Sequence, residues 1–370
     1  MMKKKTVFII LLNLAAAALV IFAFDYALFV KDSFRFSYVK EHNLPFFEKG
    51  RKFKEICDRK YFAYLHPFIE SIYRLKFRDR ITDKSKDAVL IWGCSFANGL
   101  GLSYDESFGV MLSKYADKTV FNRAIDGCGA KEALMQSELL YILKNYYEQK
   151  EKNPDLTFEE CMNGLDFDEI TKESFKKLFK DKKFQKIITK WYKPILDSGK
   201  VKYIIYVFIE AHIKRMYSQL LEPSETDLRL ADYKYKNGRF IFNNPYKGRF
   251  RILYLRDKFK SRERKLKDKD NQLKLFEQYL KEIKRLNALT FGREIKFIII
   301  NYNDEYNNYY YNNLHRFSGG FECIQMTNLL KGRIEEAEYK LSDGWHPSAK
   351  VWEEAVPKLT EKLVFYKVFQ

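Results

Sequence analysis

The sequence predicts a three-layer α/β fold with a parallel sheet. Short apolar and β-branched runs alternate with longer segments of helical periodicity, and such alternation is typical of strands that pair in parallel with helices on both faces. Two of the runs, 203–209 and 296–300, are apolar at nearly every position, as expected for strands covered on both sides. The 370 residues also suffice to bury one large core or two small ones.

Two stretches interrupt this alternation and are predicted to be insertions, at about residues 150–200 and 222–270. The first is helical in pattern. The second contains Asn237-Gly238, a strong signal for a hairpin with a two-residue turn. The predicted strands of the main domain are 88–92, 119–122, 203–209, 296–300 and 322–326, and its predicted helices are 107–115, 130–148, 272–289 and 349–366.

Composition excludes several classes of protein. The chain has 16 Gly and 8 Pro but 17% aromatic residues, so it is neither collagen-like nor rich enough in breakers to be disordered throughout. Its five cysteines form no CxxC pair and no Cys/His spacing typical of zinc, so we predict no metal site. No phosphate-binding loop or dinucleotide fingerprint is present, and we predict no cofactor. A disulfide between Cys94 and Cys128 is conceivable.

The charge is strongly positive. Lys and Arg number 67 against 49 acidic residues, which gives a net charge of +18 and a pI near 9.3. Such a balance suits a nucleic-acid binder or a protein that lies on anionic lipid or polysaccharide. The chain is rich in Lys throughout, however, so a solvated basic surface explains the charge as well. We predict such a solvated helix, with no dedicated ligand, over residues 251–270.

The amino terminus predicts a membrane segment. Lys3–Lys5 precede a stretch, residues 6–30, in which Asp25 is the first charged residue. This stretch is long enough to cross a bilayer as a helix, and the lysines favour a cytoplasmic amino terminus. The alternative is a cleaved signal peptide, for which the small residues 15–18 offer a site. Both interpretations put the remaining chain outside the cytoplasm, in the periplasm or extracellular space, which argues against nucleic acid as a partner.

These observations divide the chain into three parts. Residues 1–30 are the predicted membrane anchor or signal. Residues 31–86 are aromatic and basic, and we expect a juxtamembrane connector followed by helices that pack on the main domain. Residues 87–370 form that domain, with the two insertions.

Two loops that follow predicted strands carry residues suited to catalysis. Ser95 lies in Gly93-Cys94-Ser95 after the first strand, at the carboxyl edge where open parallel sheets collect functional groups. Gly127 lies in a Gly-containing turn after the second strand, and its N–H is suited to bind an oxyanion. Each motif alone is also consistent with an ordinary turn that enters a helix.

A third motif precedes the last predicted helix. Asp343 lies three residues before His346 in a loop bounded by Gly344 and Pro347. At this spacing the carboxylate can accept the Nδ1 proton of the imidazole, which leaves Nε2 to act on a serine hydroxyl. A helix cap with an incidental histidine is the alternative for this motif taken alone.

Together the three motifs resemble the SGNH (GDSL-like) esterase and acetyltransferase superfamily, and in particular its envelope-anchored branch. The resemblance covers roughly residues 86–366. It rests on Gly-Cys-Ser-Phe around Ser95, on the Asn-x-Ala-x-x-Gly-x-Gly motif that begins at Asn122, and on Asp-x-x-His at 343–346. It implies a flavodoxin-like sandwich with about five parallel strands.

The resemblance also implies a role for each residue. Ser95 would be the nucleophile, His346 the general base, and Asp343 the group that orients the imidazole. The N–H groups of Ser95 and Gly127 would form the oxyanion hole.

One family element departs from the pattern. Superfamily members usually supply an Asn side chain to the oxyanion hole after the third strand, and residues 208–215 contain none. His212 could donate in its place or merely cap the strand, and Arg215 could bind an anionic group of the substrate. Loss of one such donor typically lowers turnover by about 10²–10³.

The resemblance therefore implies an acyl-enzyme mechanism at the cell envelope. Water as the acceptor makes the protein an esterase, and a sugar hydroxyl makes it an O-acyltransferase. The expected partner is an acylated cell-envelope polysaccharide or a similar polymer, in addition to the membrane and an unidentified acyl-transfer partner. A catalytically idle domain that binds glycan or scaffolds an envelope assembly is the alternative, suggested by the missing Asn.

Overall fold

A five-stranded, all-parallel sheet forms the centre of the molecule. The computed structural model describes residues 12–23, 77–82, 87–126, 128–167, 169–216, 232–236, 239–243, 268–302, 309–317 and 321–365. The strands of the sheet are β1 (Ala88–Trp92), β2 (Thr119–Asn122), β3 (Val201–Phe208), β6 (Lys296–Asn301) and β7 (Glu322–Gln325). Their order in the sheet is β2-β1-β3-β6-β7.

The order of the strands places a switch point between β1 and β3. The chain passes from β1 outward to β2 and then returns to the other side of β1 to form β3. In open parallel sheets a crevice forms outside the carboxyl ends of the strands at such a point, and functional sites lie there.

Helices connect the strands at nearly the predicted bounds, which confirms the predicted alternation. Two short 3₁₀ turns, Arg333–Glu335 and Ala337–Tyr339, precede the last helix. The helices are α1 (Ser95–Asn98), α2 (Phe108–Ala116), α3 (Ala130–Lys152), α4 (Phe158–Gly164), α5 (Glu169–Phe179), α6 (Lys182–Ser198), α7 (Glu210–Met216), α8 (Lys269–Phe291), α9 (Tyr309–Phe317), α10 (Met326–Leu329) and α11 (Ala349–Phe365).

The sheet is covered on both faces, as predicted for its apolar strands. Leu90 and Trp92 of β1 contribute to a core that includes residues of α3 and α8, whereas Val89 and Ile91 contribute to a core with α2 and α11. Successive side chains of a strand point to opposite faces. A strand between two helical layers therefore favours apolar residues on both of its faces, and this α/β arrangement with a five-stranded parallel sheet is compatible with a flavodoxin-like sandwich.

Both predicted insertions contain the predicted secondary structure. The first forms α4, α5 and α6, whose buried side chains join the core on the α3 side of the sheet. In the second, β4 (Asp232–Lys236) and β5 (Arg239–Asn243) pair antiparallel, and Lys236 lies opposite Arg239. This pairing confirms the hairpin, although its two turn residues lie outside the described part. Of the predicted solvated helix, only residues 268–270 are described, at the start of α8.

The structure describes only residues 77–82 of the predicted connector and packing helices, residues 31–86, and these six residues contain no helix. Arg80 instead forms an antiparallel bridge to Val120 of β2, with N–H to carbonyl distances of 3.0 and 2.9 Å. β2 is an edge strand of the parallel sheet, and its free backbone groups pair with this segment. Residues 31–76 lie outside the described residues.

The amino-terminal apolar segment is described over residues 12–23. These residues are helical, and their side chains are exposed. Within the described ranges, no helix reaches the length and apolar character that crossing a membrane requires. The predicted membrane span of residues 1–30 extends beyond the described helix on both sides.

Candidate active site

Ser95 lies at the carboxyl end of β1, beside the switch point of the sheet. The chain turns there at Gly93, whose φ is +151°, and Ser95 begins α1 two residues later. A Cβ on Gly93 would lie 3.1 Å from the carbonyl oxygen of Val207 and 3.1 Å from Cβ of Ala97. Glycine therefore satisfies both the backbone conformation and the close approach of β3 at this position. Ser95 itself is 4% exposed.

The second and third catalytic candidates lie next to Ser95. Nε2 of His346 is 2.9 Å from Oγ of Ser95, although the two residues are 251 positions apart in sequence. Nδ1 of His346 is 2.5 Å from Oδ2 of Asp343. With the ring proton on Nδ1, the imidazole donates to the carboxylate and accepts the serine hydroxyl proton on Nε2. The three residues predicted from the sequence to form a triad are thus hydrogen-bonded to one another in the structure.

The loop that carries Asp343 and His346 is fixed by its own backbone. Lys340 and Pro347 form an antiparallel bridge, and the N–H of Leu341 donates to the carbonyl of His346 at 2.8 Å. Gly344, with a φ of +72°, makes the tight turn between them. The imidazole is therefore held in place from the backbone side, which is a requirement for a preorganised site.

Asp343 is bound as a carboxylate. Oδ1 accepts the backbone N–H groups of Trp345 at 2.8 Å and His346 at 3.0 Å, while Oδ2 faces the imidazole. The two backbone donors, and then the imidazole, lower the pKa of Asp343 to about 2. The orienting group of the triad is thus ionised across the neutral and mildly acidic range.

We expect the Asp343 carboxyl to titrate with a midpoint near 2 in the folded protein. Because its pKa is lowered from the usual 3.8, these hydrogen bonds stabilise the fold above about pH 4. That contribution is lost as the pH falls towards the folded pKa. Carbon-13 NMR of the labelled carboxyl measures the midpoint, and the spectrum of Asp343→Asn assigns the signal. A midpoint at or above 3.8 would contradict the two backbone hydrogen bonds.

Two asparagines attach the helix of Ser95 to the loop after β2. Nδ2 of Asn98 donates to the carbonyl of Ala124 at 2.9 Å, and Nδ2 of Asn122 donates to the carbonyl of Ala97 at 2.8 Å. Oδ1 of Asn122 accepts the N–H of Ala124 at 3.1 Å. All three side-chain bonds are buried, so they fix α1 relative to Asn122 and Ala124, at the end of β2. The motif contained Asn122, but neither side chain was predicted to have this role.

A buried ion pair joins the same loop to the connector. The guanidinium of Arg123 is completely buried, and Nη1 and Nη2 each donate to one carboxylate oxygen of Asp79. Nη2 also donates to the carbonyl of Trp191 at 2.5 Å, and the ring of Phe77 lies 4.5 Å from the guanidinium carbon. Sequence reasoning missed this pair because its partners lie 44 positions apart and form no motif.

Of the residues predicted for the oxyanion hole and for substrate binding, Ser95 lies at the start of α1, and His212 and Arg215 lie in α7. Ser95 is the first residue of α1, so its N–H has no acceptor within the helix. Gly127 lies outside the described residues. His212 lies in α7 and is fully buried, with Nδ1 2.9 Å from the hydroxyl of Tyr206. A ring without exposed surface cannot touch a substrate in this conformation, so it does not serve there as the oxyanion donor. Arg215 also lies in α7, but its side chain is outside the described part.

The structure also bears on the possible disulfide, on metal ligands and on cavities near the triad. Cys94 and Cys128 are both buried thiols and form no disulfide in the structure. Among the described residues, no group of three or more His, Cys, Asp or Glu side chains is arranged to hold a metal ion. Two cavities, of about 450 and 300 Å³, lie around Lys150 and around Thr119, and neither is lined by Ser95, Asp343 or His346.

The protein therefore has an open parallel α/β sheet with a Ser–His–Asp hydrogen-bond chain at its carboxyl edge. Comparison with known proteins adds no family to this description. No protein-family model matches the sequence, and no curated protein matches it.

Proposed function

We propose that this protein is a membrane-anchored serine esterase or O-acetyltransferase of the SGNH type that acts on ester groups of a cell-envelope polysaccharide. The hydrogen-bond chain from Ser95 through His346 to Asp343 carries the proposal. A hydroxyl, an imidazole and a carboxylate in this order make up the apparatus of nucleophilic acyl transfer. Their position beside the switch point of the sheet is also that of functional sites in open α/β folds.

The proposed reaction begins with attack of Ser95 Oγ on the carbonyl carbon of the ester. Nε2 of His346 takes the hydroxyl proton, and the Asp343 carboxylate stabilises the imidazolium that forms. His346 then returns the proton to the leaving alkoxide, so an alcohol departs and an acyl-serine remains. In the second half, Nε2 takes a proton from water or from a sugar hydroxyl as that oxygen attacks the acyl group. Collapse of the second intermediate restores the serine hydroxyl.

The oxyanion of each intermediate needs hydrogen-bond donors. The N–H of Ser95, at the start of α1, is well placed because it has no partner within the helix. We assign the second donor to the N–H of Gly127, which follows Asn122 and Ala124, the residues that hold α1 in place. With His212 buried, the site relies on backbone donors at this point.

The amino-terminal helix and the net charge support the proposed location and substrate class. The helix at residues 12–23 exposes Leu12, Leu14, Leu19, Val20, Ile21 and Phe22, and such an apolar surface is suited to a lipid environment. An enzyme held at the envelope acts on ester groups within its reach, which favours surface polysaccharide over a diffusing metabolite. The net charge of +18 would help to hold an anionic glycan, more strongly at low salt.

We expect a fluorophosphonate probe to label the full-length protein covalently at Ser95. The probe reacts with a serine hydroxyl that a neighbouring base activates, so labelling should disappear in Ser95→Ala and fall sharply in His346→Ala. Gel fluorescence and mass spectrometry of the labelled peptide measure the result. Ser103→Ala, which removes an exposed serine from the loop after α1, is the matched control and should label like the parent.

A folded protein that resists the probe and hydrolyses no aryl acetate near neutral pH would contradict the catalytic proposal. That result would favour the alternative, a catalytically idle domain that binds glycan or scaffolds an envelope assembly. The buried His212 is consistent with it, because this side chain does not replace the missing Asn donor. The direction of transfer is a separate question. Mass spectrometry of the surface polymer should show a gain of acetyl esters in cells carrying Ser95→Ala if the protein hydrolyses them, and a loss if it adds them.

A further inference from the structure

Trp345 is the most exposed of the large apolar side chains that the structure describes. Its exposed fraction is 78%, whereas Trp92 and Trp352 are completely buried. Large aromatic side chains bury much area in cores, and tryptophan is enriched where one side of a ring contacts a partner, so an exposed indole next to a functional site is a candidate ligand contact. Trp345 lies in such a place, between the two triad residues of its loop.

The backbone of Trp345 is fixed although its side chain is exposed. Its N–H donates to Oδ1 of Asp343 at 2.8 Å, and the N–H of Gly344 donates to the carbonyl of Leu341 at 2.9 Å. The indole thus projects from a rigid loop, and little conformational freedom remains to be lost when a ligand covers it. A preorganised contact of this kind binds more tightly than one on a mobile loop.

Trp345 is the neighbour of a triad residue, so its indole is a candidate contact for a substrate that extends beyond the ester bound at Ser95. Successive Cα atoms are about 3.8 Å apart, and Trp345 directly precedes His346, whose Nε2 is 2.9 Å from the serine hydroxyl. A second exposed apolar side chain follows α1, because Leu100 is 43% exposed and its N–H donates to the carbonyl of Ser95 at 3.1 Å. The loops of these two residues meet, since a Cβ on Gly101 would lie 2.5 Å from Leu341.

We propose that Trp345 is a stacking platform for a sugar ring of the glycan that carries the ester, an inference that rests on the function proposed above. An indole offers a broad apolar face, and a pyranose offers a matching face of C–H groups while its hydroxyls remain in water. The exposed indole leaves its face accessible to such a ligand.

Fluorescence of the full-length Ser95→Ala protein tests the proposal without turnover. Three probes are used, namely tetrasaccharides of N-acetylglucosamine and of glucose, both β-1,4-linked, and a tetragalacturonate. We expect at least one of them to protect Trp345 from acrylamide quenching in a saturable way, because the other described tryptophans are buried or half-buried. The protection should disappear when Trp345→Phe is added.

Calorimetry of the same proteins separates stacking from a structural role. Trp345→Ala should weaken binding of the protective saccharide by roughly tenfold or more, the effect of removing an aromatic anchor, while Trp345→Phe should keep most of the affinity. In the parent background, Trp345→Ala should raise KM for an acetylated oligosaccharide more than KM for an aryl acetate. Tyr115→Ala is the matched control, since Tyr115 is 55% exposed and lies in the last turn of α2, which leads into the amino end of β2 and not to the carboxyl edge that holds the triad.

Three results would overturn the proposal. The first is a lack of protection by all three saccharides, and the second is equal weakening by Trp345→Ala and Tyr115→Ala. The third is protection by octanoate or by phosphatidylglycerol vesicles alone, which would indicate an acyl or membrane contact. Fluorophosphonate labelling tests the proposed function independently. Labelling without saccharide protection therefore removes only the stacking role, and protection without labelling removes only catalysis.

Discussion

Asp343→Asn is expected to lower turnover of an ester substrate by about 10⁴, the loss typical of a triad whose carboxylate becomes an amide. The carboxylate lies 2.5 Å from Nδ1 of His346 and holds the ring proton there. An amide can donate to Nδ1 instead, which favours the tautomer with the proton on Nε2. That tautomer cannot accept the hydroxyl proton of Ser95 from 2.9 Å away. Turnover of an aryl acetate measures the effect.

The fold should survive this substitution, because the amide oxygen can still accept the two backbone N–H groups that Oδ1 accepts. We therefore expect the variant to fold, with a lower unfolding midpoint than the parent at neutral pH because the amide lacks the charge that these N–H groups stabilise, and with the catalytic loss expressed in kcat. Asp105→Asn is the matched control, since Asp105 is an exposed aspartate in the loop after α1 that pairs with Lys114. If Asp343→Asn keeps more than a tenth of the parent turnover, the carboxylate does not orient the imidazole.

Asp79→Ala is expected to lower the free energy of unfolding by about 3–5 kcal/mol, the usual cost of leaving one partner of a buried ion pair unpaired. The guanidinium of Arg123 is 0% exposed and Asp79 is 16% exposed. The carbonyls of Asn122 and Trp191 also accept from the guanidinium, but they supply no compensating charge. Chemical denaturation of the purified protein, followed by circular dichroism, measures the change.

Two further variants test whether the loss of stability in Asp79→Ala comes from an unpaired buried charge. The double variant Asp79→Leu with Arg123→Met removes both charges and should recover much of the lost stability, because a buried apolar pair needs no compensation. Lys144→Ala breaks a surface pair with Glu148 and should cost less than about 1 kcal/mol. Equal losses from Asp79→Ala and Lys144→Ala would show that the pair of Arg123 is not buried in solution.

The Asp79→Ala substitution should also lower catalytic activity. Asp79 accepts the backbone N–H of Asn122 at 3.1 Å, and the side chain of Asn122 holds α1 through the carbonyl of Ala97. Loss of the carboxylate therefore loosens a chain of contacts that ends at the helix of Ser95. We expect a reduced kcat in whatever fraction of the variant remains folded.

The parallel sheet could be predicted because its strands carry a local signal. The run at 88–92 coincides with β1, which is apolar at each position because both of its faces are covered. The run at 119–122 coincides with β2, in which Val120 and Phe121 are the apolar residues. The hairpin was predictable from Asn237-Gly238 for a similar local reason. The segment at residues 77–82 was not, because its conformation depends on pairing with the free edge of β2 and on the ion pair of Asp79.

The residues of the candidate site also fall into those with a local sequence signal and those without one. Ser95, Asp343 and His346 were found from motifs because each combines a reactive side chain with turn residues. Asn98 and Asp79 have no such signal, since their roles consist of contacts with residues 26 and 44 positions away. The suggestion that His212 replaces the missing Asn came from order along the chain, whereas packing against Tyr206 and Gly129 turns it into the interior.

Local chemistry in the sequence determined which side chains are able to react and which segments become strands. Only the tertiary structure decided that Nε2 of His346 meets Oγ of Ser95 across 251 positions, that the guanidinium of Arg123 is buried against Asp79, and that the indole of Trp345 is exposed to solvent. The physical reason is that propensity and periodicity act over a few residues. Distances between remote groups follow instead from how two helical layers close on one sheet, which no local pattern encodes.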